Sequence, residues 1–344
     1  MMPRLCLFIC LLIAGVSCRP HVPRKVTPAF YYWKQTWTGN SEELRYLRGL
    51  SAGRLYIKLF DVSPDEVTKA PVPVAVLRQA APWPAGVEIV PVIFLMNEVW
   101  AHADTTLASR VAKLTAQLCD SIPGDRIHEI QLDCDWTQTT REAYFSFLKQ
   151  IRNTSFFRNR RISVTIRMYQ MKYASRAGIP PANRGLLMCY NMGDLRKSGD
   201  HNSILDLVTL RSYIEEQRVA GYPLPLDIAL PLFGWSVLFL PDNTYAGILR
   251  YVGEEELKDT LLFSKTTVSQ YVVRKDTLLN GFLLRKGSTV RRETIDPSVL
   301  EAAAQMVAAQ LQTTDPAVIF YHLDSVTLKK YPLNELQKVC RFFN

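Results

Sequence analysis

The chain alternates short apolar strands with helical segments about eight times, and this alternation limits the folds that it can adopt. Eight apolar runs of strand length are bounded by turn residues, at 29–36, 54–62, 88–97, 127–137, 162–170, 185–191, 226–234 and 317–324. Between them, hydrophobic residues recur at helical spacing in segments 41–50, 105–121, 140–153, 204–220 and 298–312. We also expect a short helix around 74–80, in the proline-rich loop after the second strand. Such alternation favours a parallel sheet covered by helices.

The number of these units predicts that the sheet closes on itself. Eight strand–helix units over roughly 250 residues or more fit an α/β fold, the (β/α)8 TIM barrel, which we place at 29–344. Residues 240–295 break the alternation, because they contain short β-branched runs interrupted by glycines and charged turns. We predict that they form a β-rich insertion after strand 7 and one wall of the site. A separate small domain is the alternative, although no linker composition separates the segment.

The N-terminal residues have the layout of a secretory signal. Arg4 precedes an apolar run over 5–16, which is too short for a permanent membrane span, and we predict a signal peptide at 1–17. The sequence Gly15-Val16-Ser17-Cys18 resembles the bacterial lipoprotein box, in which the cysteine carries lipid. Residues 18–28 then form a proline-containing tether. We expect a lipoprotein of the bacterial cell envelope, anchored through Cys18 on the periplasmic side; ordinary signal cleavage is the alternative.

Composition restricts the partners. The 344 residues are 48% hydrophobic and 21% charged, which suits one large core and a monomer. The net charge of +9 is scattered, and no basic helix is interleaved with aromatic residues, so we expect no nucleic-acid partner. Cys119, Cys134, Cys189 and Cys340 show no metal-binding spacing, and no histidine stands at such spacing. We therefore expect buried free thiols, no metal and no cofactor.

The segment 130–137, Ile-Gln-Leu-Asp-Cys-Asp-Trp-Thr, places two carboxylates on one face of an apolar strand. Strand alternation sends Gln131, Asp133, Asp135 and Thr137 to one face, and Ile130, Leu132, Cys134 and Trp136 to the other. Unpaired buried carboxylates are costly, so the polar face indicates the floor of a site. In the alternative interpretation, Asp133 pairs with Lys58 or Arg167 inside the barrel and carries no chemistry.

Polar and aromatic residues also mark the ends of the other strands, where TIM barrels carry their sites. The candidate substrate-binding residues are Trp33, Lys58, Asp61, Asn97, Trp136, Arg167, Gln170, Asn191, Trp235, His322 and Asp324. Alternatively, Lys58 and Arg167 form interior ion pairs with the two aspartates of the fourth strand, and Asp61 or Asp324 caps the next helix. The five tryptophans near strand ends are Trp33, Trp37, Trp100, Trp136 and Trp235. Indoles beside hydrogen-bonding groups favour sugar binding; the alternative is that some only plug the barrel top.

Three motifs resemble those of chitinase-type, substrate-assisted glycoside hydrolases. The fourth-strand motif of that family, Asp-x-x-Asp-x-Asp-x-Glu, matches at Asp133 and Asp135 but not at Ile130 or Thr137. Residues 188–191 are similar to the sixth-strand Met-x-Tyr-Asp, and residues 229–235 to a seventh-strand Gly-x-Pro-Phe-Tyr-Gly element. The resemblance covers roughly 29–325 and implies a barrel with a β-rich insertion. The whole chain also resembles uncharacterised bacterial lipoproteins with a glycosidase-like barrel.

The departures from that family bear on activity. The family's final glutamate protonates the glycosidic oxygen, and here Thr137 stands in its place. Either Asp133 and Asp135 act as an acid–base pair, since repulsion and burial raise the pKa of one of them, or Glu98 acts as the acid beside Asp135. The candidate catalytic residues are Asp135, Glu98, Asp133 and Tyr190. The sequence thus leaves two functions: an envelope hydrolase of an amino-sugar-containing glycan with a relocated general acid, or a catalytically inactive glycan-binding lipoprotein.

Overall fold

Eight parallel strands form a closed barrel in the computed structural model, which describes residues 24–344. The barrel strands, in chain order, are β1 (Thr27–Tyr32), β2 (Arg54–Pro64), β3 (Glu88–Leu95), β4 (Glu129–Cys134), β5 (Arg161–Arg167), β6 (Arg184–Met188), β7 (Leu226–Pro231) and β8 (Ala317–Tyr321). The barrel closes because β1 pairs with both β2 and β8, through the registers Ala29↔Arg54 and Ala29↔Ile319. The predicted TIM barrel is confirmed; the signal peptide and the lipidation site at Cys18 lie outside the described residues.

The helices follow the barrel strands and cover the barrel, except Glu254–Leu257, which lies in the segment after β7. Their bounds are Ser41–Gly49, Leu107–Cys119, Arg141–Arg152, Met168–Lys172, Ala174–Ala177, Leu207–Ile214, Glu254–Leu257, Pro297–Ala308, Ser325–Leu328 and Leu333–Arg341, with 3-10 turns at Asn97–Ala101, Gly124–Arg126 and Glu215–Gln217. The first helix begins where the side chain of Asn40 accepts hydrogen bonds from the backbone N–H groups of Glu42 and Glu43. Within residues 24–344, no helix is long and apolar enough to cross a membrane.

The loop after β2 differs from the prediction. The short helix expected around 74–80 is absent, and the strand Pro71–Val74 runs antiparallel to the end of β2, with Asp61 opposite Val74. Within 74–80, the backbone N–H groups of Leu77, Arg78 and Ala80 donate to carbonyl groups of distant segments and not to the preceding turn, so no helix forms. The short strand Arg78–Gln79 pairs instead with Thr36–Trp37.

The segment after β7 forms the predicted β-rich insertion, which begins at Trp235 rather than at residue 240. Its antiparallel sheet has the spatial order Tyr245–Leu249, Trp235–Phe239, Thr289–Glu293, Gln270–Val273 and Phe263–Lys265, and a hairpin joins Thr277–Leu279 to Phe282–Leu284. The insertion has a small apolar core of its own, which includes Leu238, Leu249, Phe263 and Val290. It follows β7 directly, so it stands beside the carboxyl ends of the barrel strands.

A buried ion pair fastens the insertion to the loop that follows β6. Arg291 Nε lies 2.8 Å from Glu293 Oε1, and both side chains are buried. Glu293 Oε2 accepts hydrogen bonds from the backbone N–H and the hydroxyl of Ser203, at 2.6 and 2.7 Å. Arg291 also donates to the backbone carbonyls of Lys197 and Leu195. We call Arg291 and Glu293 the latch pair, because their hydrogen bonds join the insertion strand Thr289–Glu293 to the loop that follows β6.

Candidate functional site

A pocket of about 460 Å³ opens at the carboxyl ends of the barrel strands. Because parallel strands bring these ends to one edge, residues far apart in sequence meet there. The pocket is lined by Tyr31, Trp33, Phe94, Asp133, Asp135, Met188, Tyr190, Asn191, Phe233, Trp235, Tyr321 and His322. Seven of the predicted site residues are therefore together: Asp133, Asp135, Tyr190, Trp33, Asn191, Trp235 and His322. We call this space the central pocket.

Asp133 lies at the bottom of the central pocket and is 7% exposed. Its Oδ1 accepts a hydrogen bond of 2.6 Å from the hydroxyl of Thr165 on β5. Burial raises the pKa of Asp133 to about 7, and the nearby charge of Asp135 acts in the same direction. Near neutral pH, this carboxyl group therefore binds a proton far more readily than an exposed aspartate does.

The ion pairs of the mouth confirm the ion-pair alternative for Arg167, which pairs with Asp135, and contradict it for Lys58. Lys58 Nζ lies 2.8 Å from Asp61 Oδ1, and Arg167 Nε lies 3.6 Å from Asp135 Oδ1. The alternative in which Lys58 or Arg167 neutralises Asp133 is therefore wrong. Asp135 lies just past the end of β4, and 43% of its side chain is exposed. The two carboxylates thus have distinct environments, one buried and one open to solvent.

Aromatic rings form the floor and sides of the central pocket. The ring of Tyr321 lies 5.5 Å, between centroids, from each of the rings of Trp33, Tyr190 and Phe233. Phe233 in turn lies 5.3 Å from Trp235. Burial raises the pKa of Tyr190 well above its usual value, so its phenol keeps its proton and remains a hydrogen-bond donor. The surface pairs flat apolar faces with a few polar groups.

Only two of the five tryptophans near strand ends line the central pocket. Trp33 and Trp235 do so, whereas Trp37, Trp100 and Trp136 are buried in the core. Their indole N–H groups are bonded inside the protein, to Pro82 O, Cys134 Sγ and Ala177 O respectively. The indole of Trp136 is 3% exposed and packs against Tyr144, so Trp136 does not line the central pocket, although it does line a neighbouring cavity. These three rings therefore have a structural role, as the alternative proposed for some tryptophans, but Trp100 and Trp136 pack against the helix Arg141–Arg152 and do not plug the barrel top.

Neither residue considered for the acid position lines the central pocket. The Thr137 hydroxyl lies 2.9 Å from that of Thr139 and 3.2 Å from that of Thr140, at the start of the following helix. Glu98 is exposed on the 3-10 turn Asn97–Ala101 and is absent from the pocket lining. Glu98 is therefore not among the residues that line the central pocket with Asp133 and Asp135. Asn97 is also turned away, since its side chain accepts a hydrogen bond of 2.6 Å from Thr140.

Other predicted residues hold the site together. Gln170 is buried, accepts from the backbone N–H of Arg167 and donates to Trp136 O. Asp324 accepts from the backbone N–H groups of Val326 and Thr327 and lies 2.7 Å from Lys34, so the helix-cap alternative is confirmed for it. Lys58 lies over the ring of Trp33, 5.3 Å from its centroid. Gln170, Asp324 and Lys58 therefore help to position the barrel mouth and do not line the central pocket.

Sequence reasoning missed four aromatic lining residues: Tyr31, Phe94, Phe233 and Tyr321. All lie in barrel strands near their carboxyl ends or in the following loop, so the rule that selected tryptophans would have found them if it had included tyrosine and phenylalanine. Tyr31 donates a hydrogen bond to Gln131, which confirms that the polar face of β4 points into the barrel.

Two further cavities flank the central pocket and share lining residues with it. A cavity of about 540 Å³ shares Asp135 and Asn191, and is also lined by Arg167 and Tyr213. On the other side, a cavity of about 920 Å³ shares Trp33, Phe233, Trp235 and His322. Because they share lining residues, we treat the three spaces as one groove across the barrel mouth.

The described residues offer no metal site. No group of three or more His, Cys, Asp or Glu side chains within 24–344 is placed to hold a metal ion. The four cysteines in this part of the chain are buried and unpaired, as predicted.

No family profile and no curated protein sequence matches this chain. Solved structures do resemble it. A GH18 chitinase from Cycas revoluta, in complex with (GlcNAc)4, is 11% identical over 92% of this chain and 100% of its own, with a TM-score of 0.51. Group II chitinase catalytic domain 2 from Ostrinia furnacalis is 12% identical over 91% and 95%, with a TM-score of 0.51. The Bacillus megaterium spore cortex-lytic enzyme SleL is 13% identical over 91% and 74%, with a TM-score of 0.50. The fold is therefore a chitinase-like TIM barrel.

Proposed function

We propose that this protein binds an amino-sugar-containing glycan in the groove across its barrel mouth and does not hydrolyse it. The observation that carries the proposal is the composition of the central pocket, where aromatic rings surround one open and one buried carboxyl group. The position at which chitinase-type hydrolases have their acidic glutamate holds a threonine, whose hydroxyl is turned toward the next helix. Sugar rings have apolar faces that pack on aromatic rings and polar edges that need hydrogen bonds.

The polar groups of the central pocket suit the edges of such a sugar. The carboxylate of Asp135 accepts hydrogen bonds from hydroxyl or acetamido N–H groups, and the phenol of Tyr190 donates one. Asp133, when protonated, supplies a further donor at the floor. The solved structures with this fold include chitinases in complex with N-acetylglucosamine oligomers, which supports an amino-sugar polymer as the ligand class.

Hydrolysis requires an acid that can reach the glycosidic oxygen, and this requirement argues against cleavage. Thr137 cannot donate a proton near neutral pH, and Glu98 lies outside the pocket. Asp135 is the open carboxylate and faces the cation of Arg167. A glycan held in the groove is therefore not cleaved at a useful rate.

One observation favours a second candidate function, hydrolysis with Asp133 as the relocated acid. Its pKa of about 7 lies in the range that general acids use, and Asp135 stands two residues away as a base. In that case activity falls as the pH rises through 7, because Asp133 loses its proton.

The experiment that separates the two functions uses chitohexaose labelled at its reducing end. The wild-type protein and its Asp133→Asn and Asp135→Asn variants are incubated with the sugar at pH 5, 6, 7 and 8, and the products are separated by chromatography while binding is measured by tryptophan fluorescence. We expect saturable binding by the wild-type protein and an intact hexasaccharide at every pH. Cleavage that disappears in Asp133→Asn would establish the hydrolase instead, and a wild-type protein that neither binds nor cleaves would contradict both functions.

The proposal includes attachment to the bacterial cell envelope through lipid on Cys18. It is supported by the apolar run before this cysteine and by the proline-containing tether after it. A tethered groove holds glycan chains close to the membrane surface.

A further inference from the structure

Three buried polar atoms without hydrogen-bond partners surround the same cavity. The 920 Å³ cavity between the barrel mouth and the insertion is lined by Trp235, His322 and Arg292, among others. Trp235 Nε1, His322 Nδ1 and Arg292 Nε are all buried, and none has a hydrogen-bond partner within residues 24–344. An unsatisfied buried polar atom costs free energy, so three around one space indicate a place that a polar ligand completes.

Arg292 carries the charge of this cavity. It lies on the insertion strand Thr289–Glu293, beside the latch pair, and burial lowers the pKa of its guanidinium. The two carboxylates whose charges act on Arg292 already have other donors: Glu254 bonds Lys330, and Glu256 accepts from the backbone N–H of Gly253 at 2.7 Å. In the described part of the chain, the guanidinium makes no ion pair of its own.

The remaining charges of the cavity leave it positive. Lys34 lies 2.6 Å from Glu43 and 2.7 Å from Asp324, so these three groups together carry one negative charge, which the two arginines of the lining outweigh. Burial lowers the pKa of His322 to about 4, so its imidazole is neutral near pH 7. Arg250, which is exposed, adds a second cation to the lining. A negatively charged group therefore enters this cavity more favourably than a neutral one.

We propose that this cavity binds the carboxylate of an acidic sugar residue, with Arg292 as its partner. The inference rests on the proposed glycan binding. Trp235 lines both the central pocket and this cavity, so a glycan whose one ring packs on Trp235 extends its neighbouring ring toward Arg292. A planar guanidinium matches a carboxylate with two parallel hydrogen bonds, which a neutral hydroxyl cannot reproduce.

The test compares carboxylated oligosaccharides with their methyl esters, which differ only in charge. The probes are a hyaluronan hexasaccharide, hexagalacturonate and a tetrasaccharide of alternating N-acetylglucosamine and N-acetylmuramic acid, with chitohexaose as the neutral reference. Binding is measured calorimetrically for the wild-type protein, Arg292→Gln and Arg211→Gln. Arg211 is an exposed arginine on the helix Leu207–Ile214 and controls for the loss of one positive charge.

For the wild-type protein and Arg211→Gln, we expect at least one carboxylated probe to bind ~10-fold or more tightly than its methyl ester, as a charge-assisted hydrogen bond predicts. For Arg292→Gln, we expect acid and ester to bind equally. Unchanged chitohexaose binding by Arg292→Gln would show that the variant is folded. Equal binding of acid and ester by the wild-type protein, or an acid preference that survives in Arg292→Gln, would overturn the inference. Binding of chitohexaose alone would overturn it and leave glycan binding standing, whereas no binding of any probe would contradict both.

Discussion

At the scale of single residues, Asp133 shows how position in the barrel changes the chemistry of a side chain. Asp133 and Asp135 are two residues apart, yet one is buried against Thr165 and the other is open beside Arg167. The buried one has a pKa of about 7, so it binds a proton in the folded protein at pH values where the unfolded chain does not. Asp133 therefore destabilises the folded state increasingly as the pH rises from about 4 through 7.

Replacing Asp133 with asparagine tests this environment. Asparagine keeps an oxygen that accepts from Thr165 and removes the buried charge, so we expect Asp133→Asn to raise the free energy of unfolding at pH 8 by roughly 2–4 kcal/mol. At pH 4 we expect a difference close to zero, because Asp133 is then protonated. Urea unfolding at the two pH values measures both differences. Equal effects at pH 4 and pH 8 would contradict the raised pKa.

Residue identity alone could not show which aromatic residues line the central pocket and which are buried in the core. Trp33, Trp100 and Trp136 all follow strands, but Trp100 and Trp136 pack against Tyr144 on the helix Arg141–Arg152, whereas Trp33 packs on Tyr321 at the mouth. The difference depends on which tertiary neighbour covers each ring, and a single sequence does not contain that information. The polar face of β4 was predictable, because strand alternation is a local property.

At the scale of elements, the periodicity of the sequence was enough to predict the eight barrel strands and the insertion after β7. It was not enough for the loop after β2, where Pro71–Val74 pairs with Asp61–Pro64 of β2. It also could not predict the latch pair, whose partners lie in the loop that includes Lys197 and Ser203. Contacts between distant loops follow from the closed barrel and not from local patterns.

The latch pair leads to a prediction about the insertion. In Glu293→Ala, Arg291 stays buried without a carboxylate, which typically costs 3–5 kcal/mol, so we expect the insertion and the loop 195–203 to open while the barrel stays folded. Hydrogen–deuterium exchange measures this as faster exchange in 195–203 and 263–293.

The matched control for the latch pair is Glu255→Ala. Glu255 forms an exposed ion pair with Lys258, at 2.7 Å, on the short helix of the same insertion. Exposed pairs contribute little, so we expect its exchange pattern to equal that of the wild-type protein. Unchanged exchange in Glu293→Ala, or equally fast exchange in the barrel strands, would contradict the role of the latch pair.

At the scale of the whole molecule, the barrel and the insertion form the groove, and the proposed lipid on Cys18 would tether it to a membrane. If Cys18 carries lipid, the full-length protein produced in a bacterium with lipoprotein processing partitions into the detergent phase of a Triton X-114 extract. We expect Cys18→Ser to move to the aqueous phase, because removal of the acyl chains removes most of the membrane affinity. Identical partitioning of the two proteins would contradict the lipid anchor.

The most direct measurement of the whole account is a calorimetric titration of chitohexaose into the wild-type protein, Trp33→Ala and Trp83→Ala. Trp33 lines the central pocket, whereas Trp83 stacks on the buried Trp37 away from it. We predict saturable binding by the wild-type protein and by Trp83→Ala. Trp33→Ala should bind ~10-fold or more weakly, because it loses an aromatic face on which a sugar ring stacks. The hexasaccharide recovered from the calorimeter cell should be intact. Absence of binding by the wild-type protein, equal binding by Trp33→Ala, or recovery of shorter sugars would contradict a groove that holds glycan without cutting it.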